Sequence, residues 1–313
     1  MQFKKYPKIR SFGQDGTEDI LDGDIVIQPK VDGSNVAIYV YGNEETKVAR
    51  RNGFIDFGAR QFQPFVDWVA SIEETLSKYR EELSDNEGFI FYGEFSDNQN
   101  KLKYDSKSPF ILFDVLYDDG TFVEAEDWQG PKGEFLSYSL VKKWADRLNC
   151  DLVPVIYEGD GGEWSLEKLE EIVDRESYLG GCKEEGIVVK RYGALTRYHR
   201  VYFTKLVAED FKEKMNVSTK PKLTSSMGDW IADTYFTEAR LRKGIQKLKE
   251  DGQWDDSFAK KNIGKLIGTV TKDIHEEAYQ DIADKAAKIA WRDGAKVIAT
   301  KVAPALDKIL TEG

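Results

Sequence analysis

The sequence predicts an α+β fold, with a first domain built on largely antiparallel sheet and a small all-helical domain after it. Three observations lead there. Short apolar runs bounded by turn-rich segments recur from Ile25 to about Val207, with stretches of helical period between them. Residues 216–225, which include Pro221 and show no periodicity, read as a linker. Beyond it, over 226–313, apolar positions recur at a spacing of three to four and strand signals vanish. The first domain is thus expected over 1–215.

The elements come in this order. Ile25-Val26-Ile27 and Val36-Ala37-Ile38-Tyr39-Val40 read as strands, and Lys47-Val48-Ala49-Arg50-Arg51 as a third that ends at the turn signal Asn52-Gly53. Phe62, Phe65, Val66, Trp68, Val69, Ile72 and Leu76 predict one amphipathic helix over 61–81. Residues 89–95 and 110–116 are buried strands, 138–149 a helix, and 152–157 an extended run. Ser165 is placed to cap a helix running to about Asp174. After the break at Gly180-Gly181 come strands at 185–190 and 201–207, and the last domain carries helices over 230–249, 256–272 and 276–310.

Composition narrows the chemistry. The chain has 313 residues, enough for a sizeable core, and its net charge is −11. That acidity is local: residues 1–215 hold 28 Lys+Arg against 41 Asp+Glu, and the remainder 17 against 15, so global charge does not exclude a nucleic-acid partner. His199 and His275 are the sole histidines, which removes Ser-His-Asp triads and His-rich metal sites by inventory. Cys150 and Cys182 are expected to be free thiols. No apolar run approaches a membrane span and the N-terminus lacks a secretory core, so a cytoplasmic protein, or one of the host cytoplasm if viral, is expected.

Chemistry must then come from Lys, Asp, Glu, Arg and a hard metal ion. Lys30-Val31-Asp32-Gly33-Ser34-Asn35 places a lysine at the end of an apolar strand, on a sharp turn in a half-buried pocket. A lysine of ordinary pKa, about 10.4, has no lone pair at neutral pH, and lowering it to about 7 requires roughly 4–5 kcal/mol from burial or nearby cations. Alone, these letters also describe a solvated lysine on a surface hairpin. Glu94, Asp114, Glu185 and Lys190 strengthen the case, because charges in or beside buried strands need a partner, a metal or a ligand.

With these stretches in order, the chain resembles the lysine-dependent nucleotidyltransferases: ATP-dependent RNA ligases, DNA ligases and mRNA-capping guanylyltransferases. The matching motifs are Lys30 to Asn35, Arg51-Asn52-Gly53, Tyr92-Gly93-Glu94-Phe95, Phe113-Asp114, Glu185-Gly186-Ile187-Val188-Val189-Lys190, and Lys205. Asn35 closing the first motif, and the absence of strands for an OB-fold barrel after the last, resemble the RNA ligase 2 family. The resemblance implies a nucleotidyltransferase domain related to ATP-grasp ligases. It also implies ATP and Mg²⁺, or Mn²⁺ in its place, an RNA substrate, no membrane partner and a monomer.

The resemblance further implies that Lys30 attacks the α-phosphorus of ATP, AMP passes to an RNA 5′-phosphate, and a 3′-hydroxyl then displaces AMP to repair a nick or break. Lys190, Lys205 and Arg51 would act on the phosphates, the two lysines also depressing the pKa of Lys30. Asp32, Glu94 and Glu185 are oxygen ligands suited to Mg²⁺ through its water shell. Phe113 and Val188 would sandwich the adenine, although a plain core shows the same residues. Asn35 and Arg51 would support the 5′-phosphate end, and Glu94 the ribose. One departure stands out: the family carries a lysine two before Lys205, and here it is Phe203, so either Arg200 or another cation substitutes or the α-phosphate contact rests on Lys205 and Lys190. Lys101, Lys103 and Tyr104, and Arg240, Arg242, Lys243, Lys247 and Lys249, are candidates for RNA contact, the latter set being equally a solvated helix face. The rival readings are a DNA ligase or capping-type enzyme, and a catalytically weak nucleic-acid-binding relative.

Overall fold

The computed structural model describes residues 1–13, 16–55, 60–96, 104–120, 134–196, 201–208, 227–255 and 261–312. The chain divides into two units, Met1–Phe211 and Lys212–Gly313. The proposed linker, Lys101, Lys103, His199 and Arg200 lie outside the described residues.

In chain order the strands of the first unit are β1 (Arg10–Ser11), β2 (Asp24–Lys30), β3 (Ser34–Tyr41), β4 (Lys47–Arg50), β5 (Gly53–Phe54), β6 (Gly88–Phe95), β7 (Phe110–Asp118), β8 (Glu134–Phe135), β9 (Asp151–Leu152), β10 (Tyr157–Asp160), β11 (Gly186–Leu195) and β12 (Val201–Val207). They form two sheets. The first runs β1-β12-β11-β2-β10 and the second β5-β4-β3-β6-β7-β8, with β9 alongside β7. All pairings are antiparallel except β1 with β12 and β7 with β9.

Alternation along the strands sorts the side chains into three layers. On the outer face of the first sheet Ile25, Ile27, Ile187, Val189 and Tyr202 pack with Leu169 and Val173. Those two come from helix Leu166–Val173, and Ser165 caps it by accepting from the Lys168 N–H. On the outer face of the second sheet Val36, Ile38, Val40, Phe91, Leu112 and Val115 meet three helices. These are α1 (Gln63–Ser71), α2 (Glu73–Arg80) and α3 (Tyr138–Leu148); the capped helix above is α4. Between the sheets lie Ala37, Tyr39, Ile90, Tyr92 and Phe203, a largely aromatic filling.

Four expected elements differ in detail. The helix over 61–81 is a 3-10 turn at Arg60–Phe62 followed by α1 and α2, broken at Ile72, and both helices keep Phe65, Val69 and Leu76 on one core. The extended run over 152–157 is two strands in different sheets: Pro154 has no N–H to donate, and the chain crosses there, with the Val153 N–H bonded to the Leu112 carbonyl and the Ile156 N–H to the Ile27 carbonyl. The helix over 230–249 is two, α5 (Met227–Tyr235) and α6 (Glu238–Glu250), divided where Thr237 accepts from the Arg240 N–H. The last two expected helices are one, α7 (Ile263–Glu312), 50 residues and about 75 Å long.

The second unit is helical throughout its described residues, with Leu248, Leu266, Val270, Ile274 and Ala278 at the core. Its basic cluster is engaged within the unit: Arg240 and Lys247 pair with Asp273, Arg240 and Lys243 reach Glu277 at 3.4 and 3.6 Å, and Arg242 pairs with Glu238. Arg240, Lys243 and Lys247 thus join α6 to α7.

Gly93 lies where the Phe110 ring crosses β6, and a Cβ there would come 2.2 Å from Phe110 Cε2. Gly93→Ala is expected to cost about 1–3 kcal/mol by overpacking, with Phe110→Leu in the same chain recovering part of it; urea unfolding of both variants measures this.

Candidate active site

The site grows from the crossings between the sheets. Lys30 is the last residue of β2 in the first sheet, and Ser34 is the first residue of β3 in the second. The lysine turn is itself the crossover. The return crossing, through Val153 and Pro154, runs beside it: Val31, Ile111 and Val153 form one small cluster, and the Gln28 amide donates to the Val153 carbonyl at 3.2 Å. The Asp32 N–H donates to the Tyr104 hydroxyl at 2.9 Å, which fixes the turn from the other side.

Lys30 stands opposite Gly186 in the β2·β11 ladder. A Cβ on Gly186 would sit 2.2 Å from the Leu206 carbonyl oxygen, so this position is closed to side chains. The residue before it, Glu185, forms an ion pair with the Lys30 ammonium. In the second sheet Asn35 pairs with Glu94, and because Val36 pairs with Arg50, the exposed turn carrying Arg51 lies at the same end. Lys30, Asp32, Asn35, Arg51, Glu94 and Glu185 are therefore gathered round the crossing turn.

The electrostatics differ from expectation. Burial pulls the Lys30 pKa down, but Glu185, then Glu94 and Asp32, outweigh it, and the net direction is upward. The expected depression by Lys190 and Lys205 is absent because carboxylates surround Lys30, while the charge of Lys190 is matched elsewhere. Lys190 is 3% exposed and donates to Asp114 at 2.8 Å and to the Phe113 carbonyl at 3.3 Å. Asp114, fully buried, also accepts from the hydroxyls of Tyr6 and Tyr192. Three rings enclose the ammonium, those of Phe113, Tyr192 and Phe203, with centroids 5.4, 5.9 and 5.6 Å from Nζ. Burial still moves the Lys190 pKa downward, only partly offset by Asp114.

A β-bulge makes this possible. The β6·β7 register shifts between Tyr92 and Gly93, so Asp114 faces Tyr92 and Leu112 faces Gly93. Phe113 is the extra residue: Leu112 and Val115 both point to the helices, while Phe113 and Asp114 both point inward. Val188 and Lys205 are paired neighbours on the inner face of the first sheet, as are Lys190 and Phe203. Phe113 and Val188 thus lie on facing inner surfaces. Phe203, standing where the family carries a lysine, is a wall of the Lys190 cage.

Sequence reasoning missed Tyr6 and Tyr192. Tyr192 was within reach of it, being two residues past Lys190 and so on the same strand face; Tyr6 lies in an irregular segment and carries no such signal. Among the described residues no three carboxylates converge closely enough to ligate a metal directly. The donor set of Asp32, Glu94 and Glu185 is nevertheless all oxygen, and it fits Mg²⁺ held mostly by its own waters and by substrate phosphates.

A model of the RNA ligase family matches residues 23–207, more than half of the chain. The chain belongs to the RNA ligase family. Solved structures of Naegleria gruberi RNA ligase share the fold: a point mutant with ATP and Mn at 18% identity, the protein with PPi at 19%, and another mutant with AMP and Mn at 18%, each with a TM-score of 0.50. Each likeness covers 67% of this chain and 57–58% of the Naegleria protein, so this RNA ligase family member matches little more than half the length of those relatives. No curated protein sequence matches it.

The geometry makes two outcomes measurable. Asp114→Leu strands a buried ammonium and is expected to cost about 3–5 kcal/mol in denaturant unfolding, most of it recovered when Lys190→Met is added. For Lys30, acylation without divalent metal is expected to titrate with a midpoint above the ordinary lysine value, and Glu185→Gln to move that midpoint down, as read by peptide mapping across pH. The sign also holds for stability. A raised folded pKa gives a contribution fully present below the unfolded value of about 10.4 and lost as pH rises through the higher folded one.

Proposed function

We propose that this chain is an ATP-dependent RNA ligase that joins RNA 3′-hydroxyl and 5′-phosphate ends through a lysyl-AMP and an RNA-adenylate. Family membership supports the reaction class. The observation that carries the mechanism is the placement of Lys30, half-buried on the crossing turn with Glu185, Glu94 and Asp32 around its ammonium.

In the first step the Lys30 ammonium gives a proton to solvent and its amine attacks the α-phosphorus of ATP; a P–N bond forms as the nitrogen sheds a second proton to water, the bond to the β-phosphate oxygen breaks, and pyrophosphate leaves. Glu185 accepts the hydrogen bond of the ammonium beforehand and so orients it, while holding its proton more tightly than water would. Asp32, Glu94 and Glu185 would hold Mg²⁺ or Mn²⁺, which when bound supplies positive charge that screens these carboxylates and the phosphates. In the second step an RNA 5′-phosphate oxygen attacks the AMP phosphorus, and the P–N bond breaks as Lys30 nitrogen regains a proton. In the third the 3′-hydroxyl oxygen attacks the 5′-phosphate of the adenylate, giving up its proton to solvent; a phosphodiester forms, the anhydride bond to AMP breaks, and AMP departs.

The remaining roles are assigned on the same basis. Lys205 and Lys190 share the inner face with Val188; Lys205 acts on the phosphates, and Lys190, enclosed with Asp114, contributes only the field of its charge. Phe113 and Val188 hold the adenine, Glu94 the ribose, and Asn35 and Arg51 the 5′-phosphate end. Nick sealing in duplex RNA is the preferred reading of the substrate. The helical second unit, with no strand among its described residues, favours it over a capping enzyme or DNA ligase bearing a barrel.

Incubation with ATP and Mg²⁺ is expected to add one AMP, about 329 Da, to the intact mass, with no gain for Lys30→Ala or with GTP. A protein that gains nothing, even after pyrophosphatase removes trapped nucleotide, is not a lysine adenylyltransferase. Adduct with sealing of nicked DNA over nicked RNA would reassign the acceptor.

A further inference from the structure

Tyr104 follows Lys103 in the segment after β6, where the sequence places it among the candidates for RNA contact. The structure turns it inward. Its ring packs with Tyr178 and Leu179 against the cluster of Val31, Ile111 and Val153, and its hydroxyl accepts from the Asp32 N–H at 2.9 Å. Burial pushes the pKa of that hydroxyl upward, and the charges of Asp32 and Glu184 add to the shift. The group is therefore neutral at neutral pH. It gives the turn an acceptor without adding a negative charge to the three carboxylates already around Lys30.

The backbone is held on both sides of the Lys30 amine. On one side β2 pairs with β11 and sets Lys30 opposite Gly186, the residue after the Glu185 that binds its ammonium. On the other the chain leaves the sheet at Val31, and the Asp32 N–H is tied to Tyr104 before β3 begins at Ser34. The same stretch also holds the approach to Glu185. The Asp105 N–H donates to the Leu179 carbonyl at 3.1 Å, the Tyr178 N–H to Glu184 Oε1 at 3.1 Å, and the Glu184 N–H to the Arg175 carbonyl at 2.9 Å. Glu184 is fully buried and immediately precedes Glu185. The lysine turn and the loop that delivers its carboxylate are thus both anchored at Tyr104 and Asp105. A turn fixed on one side alone could pivot about the ladder, and the second anchor removes that freedom where it sets the line of approach of the amine.

We propose that Tyr104 is a positioning residue for the nucleophile: through the Asp32 N–H it holds the turn so that the Lys30 nitrogen meets the α-phosphorus of ATP in line with the departing pyrophosphate. The inference rests on the lysyl-AMP reading and gives Tyr104 a part in its first step, in place of RNA contact. In this role Tyr104 acts through the turn and touches neither nucleotide nor metal.

The test uses the full chain and two hydroxyl deletions in the same cluster. Tyr104→Phe removes the acceptor and keeps the ring. Tyr178→Phe removes a buried hydroxyl that has no hydrogen-bond partner among the described residues, so it is expected to leave folding and adduct formation unchanged. Adduct formation is timed by intact mass against ATP concentration at saturating Mg²⁺, and amide hydrogen exchange is measured without nucleotide. Tyr104→Phe is expected to lower the maximal rate of adduct formation about tenfold, with the ATP concentration at half-maximal rate within about twofold of wild type. Exchange over residues 30–35 should quicken in that variant while exchange in β7 and β12 stays as in wild type, which separates a loosened turn from a loosened fold. A wild-type rate in Tyr104→Phe, beside a wild type that forms adduct, overturns the positioning role alone, as does a slow rate with unchanged exchange over 30–35. A raised ATP requirement overturns it too and gives Tyr104 to the nucleotide. Weaker binding of a 5′-phosphorylated RNA oligonucleotide with an unaltered adduct rate overturns it and returns Tyr104 to RNA contact. A wild type that forms no adduct takes the lysyl-AMP reading down with the proposal.

Discussion

The structure depends on one buried ion pair. Asp114 on the second sheet and Lys190 on the first meet between layers that otherwise present aromatic and aliphatic side chains to one another. Two charges so placed would be costly apart, and their mutual geometry is closed by Tyr6, Tyr192 and the Phe113 carbonyl. Their worth lies in specificity more than in net stability. An apolar contact between the sheets would tolerate sliding, whereas a carboxylate with two hydroxyl donors and one ammonium fixes how Phe113 stands over the strand of Val188.

Around Lys30 the same physics is left open on one side. Three carboxylates stabilise its charged form against the burial that disfavours it. The resting amine is thus held protonated, and its release is linked to whatever neutralises those carboxylates. This separates two functions that the sequence merges. Lys190 is a lysine whose charge is matched and enclosed between the sheets, while Lys30 is one whose charge is held by carboxylates on a half-exposed turn.

Much of this was legible in the sequence, for reasons that can be traced. The continuous apolar runs Ile25-Val26-Ile27 and Val36 to Val40 mark strands correctly because both faces of each sheet are covered. The motif residues fall at strand ends, where the order of strands brings Lys30, Glu185 and Glu94 together. Features without a local signature could not be read. The bulge at Phe113 is a difference of one residue between partners far apart in sequence, and the bend at Ile72 contains neither Gly nor Pro. The pairing of Arg240, Lys243 and Lys247 requires knowing that Asp273 and Glu277 lie on the adjacent helix. The pKa direction at Lys30 failed for the same reason: the sequence shows which charges exist, but only the fold shows that Asp114 claims Lys190.

The paired crossings have a consequence for how the molecule comes into being. Strands β3 to β9 form one continuous stretch, and the first sheet is made from the strands on either side of it in the chain. The ladder that sets Gly186 opposite Lys30 thus closes over a separation of 156 positions, after the whole second sheet has been threaded between its halves. Contacts of such long range are the slow ones, since their loop entropy is lost before they return any stability. The second sheet can gather its own core early. Lys30 and its carboxylate partner meet only when both ends of the first unit have returned to the same neck, so the turn they share depends on two of the longest-range ladders of that unit.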